Sequence, residues 1–247
     1  MIGADLVGAW QGAKAGLSFG VKAGLGIGSP HLVGGGFCAL GAVVGGAWSS
    51  WMAAPTMAVT ESFEKIPQTC KLTSKGDLSI NKEAIVVNDI KAIDKTNIPQ
   101  AILEETKLDE NSLRIAEMHN IILLSLDGSI ALDETTQDMS EMDELKNKLL
   151  DSKEFMDSCK MVGLRSQDWK LETSDDVTAK IISLFNEVLA ESSSKTEDIA
   201  VIIGKYMEVI NDSEELTKEQ KESIKCGLAT GLYSSKYWED VYVEPTK

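Results

Sequence analysis

Charge is what the first sixty residues lack. Only Asp5, Lys14 and Lys22 interrupt them, and no charged side chain occurs from Ala23 to Thr60. The chain as a whole lacks basic excess: 24 Lys and Arg stand against 39 Asp and Glu, a net charge of −15 over 247 residues. Phosphate binding needs a basic footprint, so nucleic acid is excluded as the main partner. Cysteine is sparse and scattered. Cys38, Cys70, Cys159 and Cys226 form no CxxC and no Cys/His cluster, which rules out a zinc finger by spacing and a disulfide scaffold by density. His31 and His119 are the two histidines, too few for a multi-histidine metal site within one chain. Phosphate-loop and dinucleotide motifs are also missing, because the Gly-x-Gly at Gly24 follows no strand and no Gly-Lys-Ser/Thr comes after it. The acidic run from Asp133 to Glu144 lacks calcium-loop spacing and reads as a solvated helix face. No cofactor, metal site or catalytic constellation is expected, and the chain does not read as an enzyme.

What is abundant is glycine, with 14 of the 20 glycines before residue 60. From Gly8 they recur every fourth residue, through Gly12, Gly16, Gly20, Gly24 and Gly28. Each costs roughly 1 kcal/mol of helix stability relative to Ala, so something must offset them. On a helix, positions i and i+4 share one ridge, and a ridge of glycines lets another backbone settle close against it. After Ser29-Pro30 a second run, Leu32–Ala54, carries no charge and repeats small residues through Gly34, Cys38, Ala42, Gly46 and Ser50. Residues 1–58 are therefore expected to form a glycine-zipper helical hairpin that turns at Ser29–His31.

The second run is long enough to span a bilayer, for which about 20 apolar residues suffice. Trp48 and Trp51 fall near its end, where indole rings anchor at the headgroup level. The first run differs. Gln11, Lys14, Ser18 and Lys22 make a polar line roughly opposite the glycine ridge. Such a helix either lies in the membrane interface or spans it within an oligomer whose lysine line faces water. The remaining readings are a hairpin buried in a water-soluble core, a tight helical dimer and a disordered segment, the last disfavoured by the four-residue glycine register. The segment is not a secretory signal peptide, since Asp5 comes early and no short apolar core follows a basic start. For an exported protein, the signal is expected upstream of Met1.

Residues 59–96 read as a connector, with Leu78–Ile80 and Ala84–Val87 as short strands or helix starts. Residues 97–247 read as an acidic all-α bundle of five or six helices. Its expected helices are Ile98–Thr106, Asn111–Leu126, Asp138–Met161, Asp175–Ala190 capped by Ser174, Glu197–Asn211 following Thr196, and one opened by the capping box Thr217–Gln220. Gly227 and Gly231 look like one further close helix contact. His119 lies on the Ile115–Ile122–Leu126 stripe. A hydrogen-bonded structural histidine is expected there, with a Cys–His pair using Cys159 or Cys226 as the catalytic alternative.

The run Gly8-Ala-Trp-Gln-Gly12-Ala-Lys-Ala-Gly16, continuing through Gly46, resembles the glycine-zipper segments of exported bacteriocin-like proteins. These include two-peptide bacteriocins and contact-dependent glycine-zipper toxins. Ile115-Ala-Glu-Met-His119-Asn120 and Gly231-Leu-Tyr-Ser-Ser-Lys-Tyr237-Trp238 look like features of secreted bacterial proteins with such N-termini. The resemblance implies export through an ABC exporter after removal of a double-glycine leader. It also implies a secreted or cell-surface protein that acts on a target membrane as a pore-forming or bacteriocin-like homo-oligomer. Residues 61–247 carry a net −16, which disfavours anionic lipid, so a target-cell receptor or an oligomeric shield is expected as well. The competing expectation is a self-assembling structural or adhesive surface protein.

Overall fold

The computed structural model describes residues 2–27, 41–43, 46, 70–72, 78–132, 151, 153, 177–192 and 195–239. Helix dominates them. The first helix, α1, runs Ile2–Ile27, and residues 41–43 and 46 are also helical. After the strands β1 (Cys70–Leu72), β2 (Leu78–Ile80) and β3 (Ile85–Val87) come the helices α2 (Gln100–Glu105) and α3 (Glu110–Leu126). The strand β4 (Ile130–Leu132) is next, and then α4 (Val177–Glu191), α5 (Thr196–Asp212) and α6 (Lys218–Trp238).

β4 corrects the all-α expectation for residues 97–247, whereas β2 and β3 fall where short strands are one of the expected alternatives. β1 pairs antiparallel with β2, and β3 pairs antiparallel with β4, matching Ile85 to Leu132 and Val87 to Ile130. Each is three residues long, too short for a periodicity of two to declare itself. Asp127-Gly128 makes the turn that sends the chain from α3 into β4. Gly128 has φ of +79°, Ser129 N–H donates to Asp127 Oδ1 at 2.9 Å, and Asn88 Nδ2 donates to the Gly128 carbonyl at 3.1 Å.

Local signals place two of the helix starts. The Asp109 carboxylate accepts from Ser112 N–H at 2.9 Å and caps α3. Thr217 and Gln220 form the reciprocal capping box that opens α6. The expected role of Thr196 is corrected. The N-cap of α5 is Lys195, which makes no side-chain cap, while Thr196 is the first helical residue and is buried against Ser235 Oγ at 3.3 Å. Ser174 and all of Asp138–Met161 except Asp151 and Lys153 lie outside the described residues.

The core gathers on α6, which packs against α1, α3, α4 and α5. From Ser223 to Ser235 nearly every residue of α6 is buried, and most of them are small: Gly227, Ala229, Thr230, Gly231, Ser234 and Ser235. Small side chains let neighbouring helices come close from several directions. The bulk that fills the core comes from those neighbours, as Leu6 and Trp10, Ile182 and Phe185, and Ile199 and Ile203.

Candidate functional site: the seat of the first helix

α1 is held on two faces. Gly8, Gly12 and Gly16 are buried. A Cβ added to Gly41 would lie 2.1 Å from the Gly12 carbonyl oxygen and 3.3 Å from the Gly16 Cα. The ridge therefore meets another backbone at a distance only glycine permits. The residue that meets it is Gly41, one position ahead of the expected Ala42 register. Gly20 and Gly24 lie within α1, whereas Gly28, Gly34, Trp48 and Trp51 lie outside the described residues.

The second face went unread in the sequence. Leu6 and Trp10 are buried against a notch on α6 formed by Gly227 and Gly231. A Cβ at Gly227 would stand 2.9 Å from Trp10 Cβ, and one at Gly231 would stand 2.9 Å from Leu6 Cδ1. Asp5 is fully buried beside them. Ser234 Oγ donates to its carboxylate at 2.5 Å, and Trp238 Nε1 approaches it at 3.4 Å. Of the polar line, Lys14 is exposed with its ammonium 5.5 Å from the Trp10 ring centroid, and Gln11 is half-buried. Ser18 and Lys22 lie on the same helix farther along.

Gly46 closes the third side. A Cβ there would meet His119 Cδ2 at 2.9 Å, Thr230 Cγ2 at 3.3 Å and Ala9 Cβ at 3.5 Å. His119 is fully buried, with Nδ1 3.1 Å from Asn120 Oδ1. The Asn120 amide donates to the Lys95 and Tyr233 carbonyls, each at 2.7 Å. This pair ties α3 to α6, as a structural histidine and its neighbour would. Three buried polar atoms around the seat nevertheless lack a hydrogen-bond partner among the described residues: Trp10 Nε1, His119 Nε2 and Thr230 Oγ1.

Two tyrosines of α6 line the other side of the interface. Burial, and then the charge of Glu117, raises the Tyr233 phenol above its ordinary range. Burial also raises Tyr237, helped by its 2.7 Å hydrogen bond to Asp127 Oδ2. The Lys95 ammonium stands 4.6 Å from the Tyr237 ring centroid. The neutral Tyr237 phenol is the donor to Asp127.

A cavity of about 430 Å³ opens away from this seat, between the β3–β4 pair and α3. Its walls include Ile85, Val87, Ile121, Leu124 and Ile130, and it holds the Lys82–Glu117 ion pair at 3.3 Å. Among the described residues, no group of three His, Cys, Asp or Glu side chains is placed to hold a metal ion. No helix among them is long and apolar enough to cross a membrane. No protein family, curated protein or solved structure matches the chain.

Proposed function

We propose that the chain is an exported bacterial protein that carries a glycine-zipper hairpin folded against an acidic helical bundle and delivers it to a target membrane, where it inserts or assembles as a homo-oligomer. The observation that carries the reading is the approach of Gly41 to Gly12 and Gly16. A ridge able to take one helix backbone at that distance takes another copy's backbone equally well. The bundle, net −16 over residues 61–247, keeps the protein in solution and carries recognition of the target cell.

Delivery requires α1 to leave α6, and unpartnered polar atoms at the seat offset part of the packing lost when it does. Each buried polar atom without a partner costs about 1–3 kcal/mol, and three such atoms lie around α1 among the described residues. Their penalty is relieved when the helices separate. Packed interfaces of this kind have two discrete arrangements rather than a continuum.

A disulfide tests the step. A Cβ at Gly231 lies 3.5 Å from Leu6 Cβ, within the roughly 3.5–4.5 Å that a disulfide spans. In a background whose four native cysteines are Ala, Leu6→Cys with Gly231→Cys should lock α1 in place when oxidised. Dye release from liposomes should then be lost in the oxidised protein and return on reduction. Equal release in both states would show that α1 need not leave its seat, and absence of release from the unmodified chain would sink the membrane reading.

A second reading is a self-assembling structural or adhesive surface protein. It is favoured by the exposed apolar positions Val177, Leu184 and Val188, which share one face of α4. It predicts large assemblies without lipid and no dye release.

A further inference from the structure

The cavity beside α3 belongs to neither the glycine ridge nor the α6 notch. Its volume, about 430 Å³, falls within the roughly 300–1,000 Å³ of small-molecule sites, which are mostly apolar with a few convergent polar groups. Six aliphatic side chains supply the apolar walls, and the Lys82–Glu117 ion pair with Thr96 and Asn97 supplies the polar lining.

The two members of that pair are not equivalent. The Glu117 side chain is 18 % exposed and sits on the middle of α3, whereas the Lys82 side chain is 75 % exposed. Glu117 is therefore the fixed charge. Lys82 is a solvated ammonium on a flexible stem, and such exposed pairs contribute little, typically below about 1 kcal/mol. A ligand cation that reaches Glu117 displaces Lys82 into water at small cost. An anion paired with Lys82 inside the cavity would lie beside the Glu117 carboxylate, 3.3 Å from that ammonium, on a chain of net charge −15. The field of the whole molecule also favours a cation.

From this we infer that the cavity binds an aliphatic organic cation, a primary ammonium on an alkyl chain, with Glu117 as counter-ion and the Ile85–Ile121–Ile130 wall against the chain. The rim suits such a guest. Val87 and Ile93 line the cavity and are partly exposed, and Ile90 beside them is 82 % exposed, so apolar surface continues outward from the mouth.

Calorimetric titration of the full chain with octylamine, octanoate and octanol tests the assignment. Octylammonium should bind, octanoate should not, and octanol should bind more weakly than the amine. Glu117→Gln should weaken the amine by about tenfold or more, as expected for loss of a partly buried charge partner, without changing octanol. Lys82→Ala removes the internal competitor and should tighten the amine about two- to fivefold. Val87→Trp fills the mouth from a partly exposed strand position and should abolish binding of both amine and alcohol while the thermal midpoint holds. Octanoate binding as tightly as the amine, an unchanged affinity in Glu117→Gln, or amine binding that survives Val87→Trp would overturn the proposal. So would failure of the amine to bind the unmodified chain.

Discussion

Gly128 isolates the energetics of a single backbone angle. Its φ of +79° lies in the left-handed region, and a Cβ there would touch nothing within 4 Å. Gly128→Ala therefore tests conformation without packing and should destabilise the chain by about 1–2 kcal/mol, read as a lower denaturant midpoint with unchanged slope. Gly204 is the contrasting case, since its Cβ would stand 2.3 Å from the Glu105 carbonyl oxygen. Both residues were visible in the sequence, yet only the Asp127-Gly128 pair announced a turn. Nothing local in the α5 sequence marks Gly204 as the point where α2 presses on it. The same holds for Leu6 and Trp10. Their partners lie more than two hundred residues away on α6, and two glycines four apart do not say which helix will fill them.

Helix ends were more legible, because a cap is written within four residues. The Thr217–Gln220 box stands where its residues predict. Thr196 misled because a long-range bond to Ser235 outcompeted the local role. The three-residue strands carried no periodic signal, and β4 finds β3 only through the turn after α3. At the start of α3, Asp109 also meets the Lys225 ammonium at 3.1 Å. Burial raises the Asp109 carboxyl, but the Ser112 N–H and the Lys225 charge outweigh it, and the group titrates below its ordinary 3.8. Burial likewise lowers Lys225, outweighed by Glu222 and Asp109, so its ammonium titrates above the ordinary 10.5. A depressed carboxylate stabilises the fold above its unfolded pKa, and the benefit is lost as pH falls through the folded value. A raised lysine stabilises below its unfolded pKa, and the benefit is lost as pH rises through the folded value. Asp109→Asn should lower the thermal midpoint near neutrality and flatten the loss of stability as pH falls below the ordinary carboxylate value of 3.8. An acid limb as steep as that of the unmodified chain would show that other carboxylates govern it.

For the whole molecule, α1 and the helices that follow it are not independent parts. The ridge and its spacing were legible in the sequence, as were the mainly helical character and the acidic bias of residues 61–247. Less legible was that α1 is core for the bundle: Leu6 and Trp10 join Ile182, Phe185, Ile203 and Leu228 in one cluster. Removing residues 1–60 should therefore leave a remainder that binds a hydrophobic dye and unfolds without a sharp thermal transition. A cooperative, dye-free remainder would mean that the bundle is complete without α1. As a control for membrane activity the truncation is consequently unsuitable, and the oxidised Leu6→Cys, Gly231→Cys chain serves better.

The Asp5–Ser234 hydrogen bond joins residues 229 apart, and the order of synthesis gives that separation a meaning. α1 leaves the ribosome long before α6, so this part of the core has high contact order and closes late. Throughout elongation, and through any passage across a membrane as an unfolded thread, the Leu6–Trp10 face has no seat on α6. A polypeptide arranged in this way depends on whatever shields that face in the interval.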